Sequence, residues 1–273
     1  MKAVMVLALL LCAMFLCQGC EERTMQETEL MYIDFLNTGK SDCSVIRMDG
    51  LCIMCDTAEA DDGEYISRHL KDLGIESIDY LIISHYDRDH IGSAADIIHG
   101  FEVKKVYAPD YHEDSREYEA LMAAVRDTDT EICIMNEDVK IKTTHGEILM
   151  NPPEYGLYDD DNNNSVITRI QYGETSVLLT GDALKSRLGD YMKSADEDFD
   201  LIKLPHHGDY NKKLAEMLEK SGAKYGVVCA DKSHETVEKK LLKTLAEYGV
   251  EAFFTSNGDA CFMSDGKVIT PCR

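Results

Sequence analysis

Hydrophobic positions follow the periods of strands and helices in turn along most of the chain. Short apolar or alternating runs predict strands, and these fall at 30–36, 43–48, 51–55, 79–84, 103–107, 131–135, 147–150, 165–172, 176–180, 201–204, 225–229, 252–255 and 260–263. Apolar residues at helical spacing predict helices at 64–73, about 115–126, 212–220 and 235–248. The early strands come in hairpins while helices recur throughout. This mixture fits two sheets covered by helices better than a doubly wound parallel sheet.

Two pairs of these strands surround glycine turns. Strands 165–172 and 176–180 are joined through Gly173 and predict a hairpin. Strands 252–255 and 260–263 flank Asn257-Gly258, a typical hairpin turn.

The first twenty residues form a separate segment. Lys2 precedes an apolar run of 15 residues, 3–17, which is short for a spanning helix of about 20 residues. We therefore interpret 1–20 as an export signal, with an uncleaved N-terminal anchor as the alternative. Gly19-Cys20 resembles a bacterial lipoprotein lipobox, although Cys17 replaces the usual Leu, and such a Cys20 would carry lipid. The protein is then secreted or held outside the cytoplasmic membrane. A polar linker at 21–29 and one domain at 30–273 follow.

Ten cysteines raise the question of disulfides in an exported chain. Cys52 and Cys55 lie in one strand pattern and, three residues apart, point to opposite faces of the sheet. Buried thiols are expected there, whereas a redox lipoprotein would join the two. Cys261 and Cys272 are the pair for which a disulfide is worth testing.

Composition and charge narrow the class of function. Hydrophobic residues make up 44% and charged residues 29% of the chain, as in ordinary soluble globular proteins. The net charge of −23 opposes tight binding to nucleic acid or anionic lipid. Binding of a long nucleic acid would require the basic residues Lys203, Lys212 and Lys213 to lie together beside a metal site. A bound divalent metal would offset the charge locally.

Three predicted strands end directly in side chains that bind metals. The first strand is followed by His85, Asp87, Asp89 and His90, the second by Asp182, and the third by His206 and His207. A single His or Asp at such a point is commonly a turn or capping residue. Four ionisable groups behind one buried strand are costly unless they have a function. A tight loop can direct the first two of them one way and the last two another, which predicts two adjacent metal sites.

The motifs His85-x-Asp87-x-Asp89-His90, Gly181-Asp182 and Pro205-His206-His207-Gly208 resemble those of the metallo-β-lactamase-fold hydrolases. The branch that they resemble is the hydrolase domain of ComEC/Rec2 competence proteins. The opening segment 35–42, the segment 55–57 and the Asn-rich segment 162–165 are similar to that branch as well, so the resemblance covers about 30 to 265. Asn37 and Ala58 stand where the branch has Asp and Gly, and Glu235 replaces the Pro after His234.

The resemblance implies a four-layer αββα sandwich of mixed α/β class that holds two divalent ions, Zn or Mn. His85 and Asp87 would bind one ion, Asp89 and His90 the second, and Asp182 would bridge them. His206 or His207 would complete the second site, with a slight preference for His206. Two ions about 3.5–4 Å apart make hydroxide available near neutral pH. Asp89 would orient that hydroxide or carry its proton. The carboxylate of Asp87 makes Mn²⁺ a competitor of Zn²⁺.

The resulting hypothesis is an exported dinuclear hydrolase that cleaves phosphodiesters with a metal-bridging hydroxide. Its substrate would be an anionic small molecule, a wall polymer or a nucleic acid, and no protein partner is predicted. Arg88, Asn164 and Ser165 are candidate substrate contacts, or else a solvated arginine and caps of the hairpin. The alternatives are hydrolysis of a carboxylic ester, lactone or amide at the same site, and a non-catalytic metal-binding lipoprotein. Membrane contact is expected only through the N-terminal anchor.

Overall fold

The computed structural model describes residues 29–154, 156–194, 198–233 and 237–272. Within them the strands form an eight-stranded and a seven-stranded sheet. The first sheet contains β1 (Met31–Phe35), β2 (Ser44–Met48), β3 (Leu51–Cys55), β4 (Ser77–Ile82), β5 (Glu102–Pro109), β6 (Glu131–Met135), β14 (Ala260–Ser264) and β15 (Ile269–Pro271), in the order β15-β14-β1-β2-β3-β4-β5-β6. The second contains β7 (Val139–Lys142), β8 (Gly146–Asn151), β9 (Ile167–Tyr172), β10 (Thr175–Leu179), β11 (Leu201–Lys203), β12 (Tyr225–Val228) and β13 (Glu251–Phe254), in the order β13-β12-β11-β10-β9-β8-β7.

Helices cover the outer face of each sheet. They are α1 (Gly63–Asp72), α2 (Arg88–Ile91), α3 (Ala94–Gly100), α4 (Arg116–Asp127), α5 (Lys185–Ser194), α6 (Lys212–Ser221) and α7 (Lys239–Glu247). The first four contribute apolar side chains to a core on the first sheet, and the last three to a core on the second. Between the sheets, Ile33 and Ile53 of the first belong to one core with Ile148 and Ile170 of the second. The αββα sandwich is confirmed.

Each sheet has an antiparallel and a parallel part. Strands β1 to β3 and β7 to β10 pair as antiparallel neighbours, whereas β3 to β6 and β10 to β13 run parallel. Parallel neighbours need crossover connections, which the helices supply. The carboxyl ends of the parallel strands therefore lie at one edge of the sandwich, and the metal-binding motifs follow β4, β10 and β11 there.

Several element predictions need correction. The turn Asn257-Gly258 does not close a hairpin, because β13 pairs with β12 in the second sheet and β14 pairs with β1 in the first. Here the chain crosses between the sheets. The predictions omit α2, α3, α5, β7 and β15. The strand β7 is half-exposed and short, and α5 has few apolar positions, so their periodic signals are weak. The last helix begins at Lys239, and residues 234–236 lie outside the described residues.

The cysteine predictions are confirmed. Cys52 packs into the core under the helices and Cys55 into the core between the sheets. Burial raises the pKa of the Cys52 thiol to about 12, so this thiol is not a reactive thiolate. Cys261 and Cys272 form a disulfide, with their Cα atoms 5.2 Å apart.

Residues 1–20, with Cys20 and the predicted export signal, lie outside the described residues, and so does most of the linker. In the part of the chain that the structure describes, no helix has the length and apolar character needed to cross a membrane.

Candidate metal centre

Three loops from two sheets meet at one edge of the sandwich. The buried strand β4 leads to His85, and the extended conformation of Asp87 (φ −64°, ψ 146°) starts α2, which carries Asp89 and His90. The loop after β10 carries Asp182, and the turn after β11 carries His207. Because β4 belongs to the first sheet and β10 and β11 to the second, the site lies between the two sheets.

Four of the predicted ligands form a tight cluster. Asp89, His90, Asp182 and His207 each offer an atom that lies within 4.8 Å of those of the other three. The Nε2 atom of His207 is 3.2 Å from Asp89 Oδ2 and 3.2 Å from Asp182 Oδ2. The Nε2 atom of His90 is 3.3 Å from the same oxygen of Asp182. Two imidazoles and two carboxylates around one point are a donor set that suits a divalent metal.

The other nitrogen of each ring is held by the protein. His90 Nδ1 is 2.8 Å from Asp56 Oδ2, and His207 Nδ1 is 3.1 Å from the carbonyl oxygen of Cys229. His85 Nδ1 is 3.0 Å from Ser84 Oγ. Among the described residues, the buried Nε2 atoms of His85 and His90 have no hydrogen-bond partner. Metal-binding histidines are oriented in this way, with Nδ1 fixed by an acceptor and Nε2 left for the metal. The residues present therefore fit a bound divalent ion.

His85 and Asp87 form a second, more open group beside this cluster. The Nε2 atom of the buried His85 is 3.5 Å from Asp87 Oδ2, and the Asp87 side chain is 38% exposed. The His85 and His90 rings lie 4.1 Å apart between centroids. The Asn-rich segment 162–165 supplies Ser165 beside these residues. Its hydroxyl oxygen lies 3.5 Å from His85 Nδ1 and accepts a hydrogen bond from the Asp182 amide at 3.0 Å.

The structure brings the ring of His207, rather than that of the slightly preferred His206, into the cluster. Both residues have left-handed backbone conformations, with φ of 46° and 54°. This sharp turn buries the His207 ring completely in the cluster. The His206 ring is 31% exposed, and its Nδ1 lies 3.4 Å from Asp209 Oδ2. Geometry of this kind has no periodic signal in the sequence.

Three buried charged residues lie at the centre, and the sequence predicted no role in positioning the ligands for them, although it marked Lys203 as a basic residue that could lie beside a metal site. Lys203 Nζ contacts the carboxylate of Asp42, lies 3.4 Å from Asp182 Oδ1, and donates to the carbonyl oxygen of Gly181 at 3.0 Å. Asp42 Oδ1 lies 3.5 Å from His207 Nδ1. Asp56, the third, accepts hydrogen bonds from the Ser84 amide and hydroxyl, both at 2.7 Å. The sequence signal that could have identified this group was a lysine inside the otherwise apolar strand β11.

The electrostatics of the cluster favour positive charge at its middle. Burial opposes ionisation of His90, but Asp182, Asp56 and Asp42 outweigh it and raise its pKa well above the usual value. Burial also lowers the pKa of His207, but the neighbouring carboxylates outweigh this effect and raise the pKa to about 9. Burial would also raise the pKa of Asp182, yet the neighbouring His90, His207 and Lys203 hold it well below its usual range. The surrounding carboxylates thus stabilise a cation, whether a proton or a metal ion.

The remaining predicted contacts lie around the cluster. The Arg88 side chain is 75% exposed and its Nε is 3.4 Å from Glu59 Oε1. Asn164 is nearly buried and Ser165 fully buried, so Ser165 acts within the protein rather than at its surface. The buried Arg187 donates to the carbonyl oxygen of Ser165 at 2.9 Å and holds this segment.

Comparison with known families agrees with this geometry. The family model described as the metallo-beta-lactamase superfamily matches residues 36–232. ComE operon protein 3 of Bacillus subtilis (strain 168) is 27% identical over 207 residues, which are 72% of this chain and 26% of that protein. Recombination protein 2 of Haemophilus influenzae is 26% identical over 181 residues, 64% of this chain and 21% of that protein. The chain thus spans about a quarter of the length of these relatives.

Solved structures show the same fold at low identity. The metallo-beta-lactamase fold protein YhfI from Bacillus subtilis has a TM-score of 0.57 at 14% identity, over 82% of this chain and 96% of that chain. A diphosphatase from the PhnP family has a TM-score of 0.52 at 14% identity, over 86% of this chain and 98% of that chain.

Proposed function

Since the chain belongs to the metallo-beta-lactamase superfamily of metal-dependent hydrolases, we propose that it is a dinuclear phosphodiesterase. The observation that carries the proposal is the arrangement of His90 and His207 around the carboxylates of Asp89 and Asp182, with His85 and Asp87 beside them and each histidine held through Nδ1. Such an arrangement orients metal ligands before the metal binds. The similarity to ComE operon protein 3 and the shared fold of a diphosphatase support a phosphorus-centred reaction.

The residues divide between two ions of unequal environment. Asp89, His90 and His207 would hold one ion and His85 with Asp87 the other, while Asp182 would contribute to both. The first set is compact and largely buried. The second has the half-exposed carboxylate of Asp87 as one of its two own ligands. Zn²⁺ and Mn²⁺ both suit this mixture of imidazole and carboxylate ligands. Bound ions would lower the pKa of a water molecule so that a nucleophile exists near neutral pH, and would offset the charge of a phosphate.

The protein's own groups position these ligands and shape access. Lys203 contacts Asp182 through Oδ1, which leaves Oδ2 facing the Nε2 atoms of His90 and His207. Asp89 has a side chain that is 20% exposed, so its carboxylate can reach both the cluster and a substrate beside it. We propose that Asp89 orients the attacking water and that Asp182 and Lys203 fix the bridge between the two ligand sets.

The cellular setting belongs to the same proposal. The segment 1–20 and its Gly19-Cys20 junction support an exported enzyme with lipid on Cys20. An exported phosphodiesterase would meet wall polymers, extracellular nucleic acid or small phosphodiesters. The net charge of −23 favours the smaller or less extended of these unless a local basic surface compensates.

Hydrolysis of bis-p-nitrophenyl phosphate in Mn²⁺ or Zn²⁺ tests the proposal. We expect activity in the parent chain and a loss of at least about 100-fold in kcat/KM for Asp89→Ala and Asp182→Ala, since each removes a ligand. The matched control is Asp129→Ala, an exposed carboxylate just before β6 and so at the end of the parallel strands opposite the cluster, which should leave kcat/KM unchanged.

Metal analysis of the same samples separates the alternatives. A chain that binds metal yet leaves phosphodiesters intact would contradict the phosphodiesterase, and carboxylic esters and lactones are then the substrates to assay. A chain without bound metal and without activity would contradict the whole assignment.

A further inference from the structure

A cleft of about 490 Å³ lies between α5 and α6, and we call it the lysine groove. Its charged lining consists of Lys185, Lys193, Lys213, Lys220, Asp190 and Glu216. Lys193 Nζ is 2.6 Å from Asp190 Oδ1, and Lys213 Nζ is 2.7 Å from Glu216 Oε2. Lys185 forms no ion pair with any described residue. Lys220 Nζ lies 3.5 Å from Glu216 Oε1. Among the described residues that line the groove, four ammonium groups face two carboxylates, which is an excess of positive charge.

Three other clefts have an excess of carboxylates instead. In the cleft at the β2–β3 turn, Arg47 faces three carboxylates. In the cleft beside β15, Lys267 also faces three, and in the cleft beside α3, Lys104 faces two. These clefts have similar volumes, of about 420, 580 and 420 Å³. In a chain of net charge −23, a basic groove is a local departure that favours an anionic ligand.

The two helices that border the groove begin close in sequence to the metal ligands. Helix α5 begins three residues after Asp182, and α6 begins five residues after His207. Both helices follow parallel strands and run back along the outer face of the second sheet. Lys185 therefore marks the end near the metal ligands. Lys213 packs against Gly189, about one turn further along α5, and Lys193 marks the far end. A ten-residue helix is about 15 Å long, so the groove extends over roughly that distance from the site.

The uncharged lining points to an anion without bases. It consists of Ser186, Gly189 and Met192, so no aromatic side chain lines the groove among the described residues. Surfaces that bind single-stranded nucleic acid pair basic groups with aromatic rings on which bases stack. Tyr158 reaches the groove's edge only through its hydroxyl, which donates to Asp190 at 2.6 Å.

We propose that the lysine groove binds the backbone of a linear polyol-phosphate polymer and leads it to the metal centre. The inference rests on the proposed phosphodiesterase and names its substrate class. Phosphates spaced along a flexible polyol chain contact the ammonium groups, and the small side chain of Ser186 leaves room for the polyol. Lys203 is not part of this surface, because it is buried at the metal centre.

Fluorescence anisotropy with labelled poly(glycerol phosphate) tests the groove directly. All proteins carry Asp89→Ala so that the probe is not cleaved. We expect Lys185→Gln/Lys213→Gln to weaken binding about tenfold and to make the slope of log Kobs against log salt shallower by about 1.4, because two phosphate contacts are lost. The matched control is Lys239→Gln/Lys243→Gln on α7, which makes the same change in net charge outside the groove and should leave the affinity unchanged.

Three results would overturn the proposal: no binding of the probe, equal weakening in both double variants, or tighter binding of oligo(dT) with the same number of phosphates. Binding of the probe does not depend on turnover. A negative phosphodiesterase assay can therefore be distinguished from a lack of polymer binding in the groove. With Asp89 restored, the groove variant should raise KM for the polymer and leave kcat/KM for bis-p-nitrophenyl phosphate unchanged.

Discussion

Each imidazole of the metal centre depends on a second residue that fixes its orientation. Asp56 does this for His90 while it also accepts two hydrogen bonds from Ser84. A ring held in this way loses little rotational freedom when Nε2 binds an ion, which favours tight binding. The sequence marks the histidines, but it marks Asp56 only through a resemblance to family motifs.

The buried Lys203 has a different consequence. Its ammonium group contacts Asp42 and Asp182, two carboxylates that are themselves nearly inaccessible to solvent. A buried carboxylate without a counter-charge is strongly destabilising. The lysine therefore lets the protein keep carboxylates at the centre in the absence of metal, and it restrains the oxygen of Asp182 that is turned away from His90 and His207.

The two adjacent histidines give a residue-level prediction. We expect His207→Ala to weaken binding of the tighter ion by more than about 100-fold, since it removes a direct ligand, and even residues behind the ligands are worth 10- to 100-fold. Titration against a chromogenic chelator measures this affinity. His206→Ala is the control, because its ring is partly exposed and faces Asp209. Equal losses in the two variants would show that the turn is arranged differently.

Among the elements, the tight turns after the strands determine where the ligands lie. Gly181 has φ of +52°, and a Cβ atom there would lie 2.8 Å from Ser84 Cβ and 2.9 Å from Ser165 Oγ. This glycine lets the loop of Asp182 approach the loop of His85. The αL conformation alone costs about 1–2 kcal/mol for a residue with a side chain.

Gly181→Ala should therefore lower the free energy of unfolding by about 3 kcal/mol and also weaken metal binding, because the two loops must separate. Urea unfolding and the chelator titration measure the two effects. Gly222→Ala is the matched control: its φ is +66°, but no atom lies within 4 Å of the added Cβ. It should lose about 1 kcal/mol at unchanged metal affinity. A Gly181 variant that behaves like the Gly222 variant would contradict the close approach.

Sequence patterns predicted elements according to how much apolar surface each one buries. The bounds of strands such as β3 and β6 agree with the predicted ones. Each apolar residue in such a strand packs on one defined face of the sheet, so the pattern shows where the strand begins and ends. The helix α5 was missed because its apolar contacts come mainly from Leu188 and Tyr191. Turn chemistry also misled: Asn257-Gly258 has the residues of a hairpin turn, yet its flanking strands belong to different sheets. Local signals do not specify which sheet a strand joins.

At the positions of the family motif, too, the sequence does not show the local conformation. Ala58 stands where the ComEC/Rec2 branch has Gly, and its φ of 54° explains the preference for Gly. The sequence comparison identified the position as unusual, but the left-handed conformation is visible only in the structure. The sequence was thus enough to expect Asp89, His90 and Asp182 in one cluster, while the place of His207 beside them required the geometry of the turn.

At the scale of the whole molecule, the candidate metal centre brings together side chains from both sheets. Asp89 and His90 come from the loop after β4, whereas Asp182 and His207 come from loops of the second sheet. An ion bound by all four exists only when both sheets are folded and docked. Metal binding free energy is then free energy of folding for the complete sandwich rather than for one loop.

Removal of metal should consequently destabilise the protein as a unit. At a free metal concentration of about 1,000 times Kd the native state gains about 4 kcal/mol, which for a chain of this size raises Tm by roughly 10 °C. Calorimetry with and without EDTA measures the shift, and a single cooperative transition should move as a whole. Asp182→Ala, which removes the second sheet's carboxylate, should abolish most of the shift, whereas His206→Ala should retain it. If metal bound tightly but Tm did not change, or if only part of the transition moved, the ion would belong to one loop, and the two sheets would hold together by their shared apolar core alone.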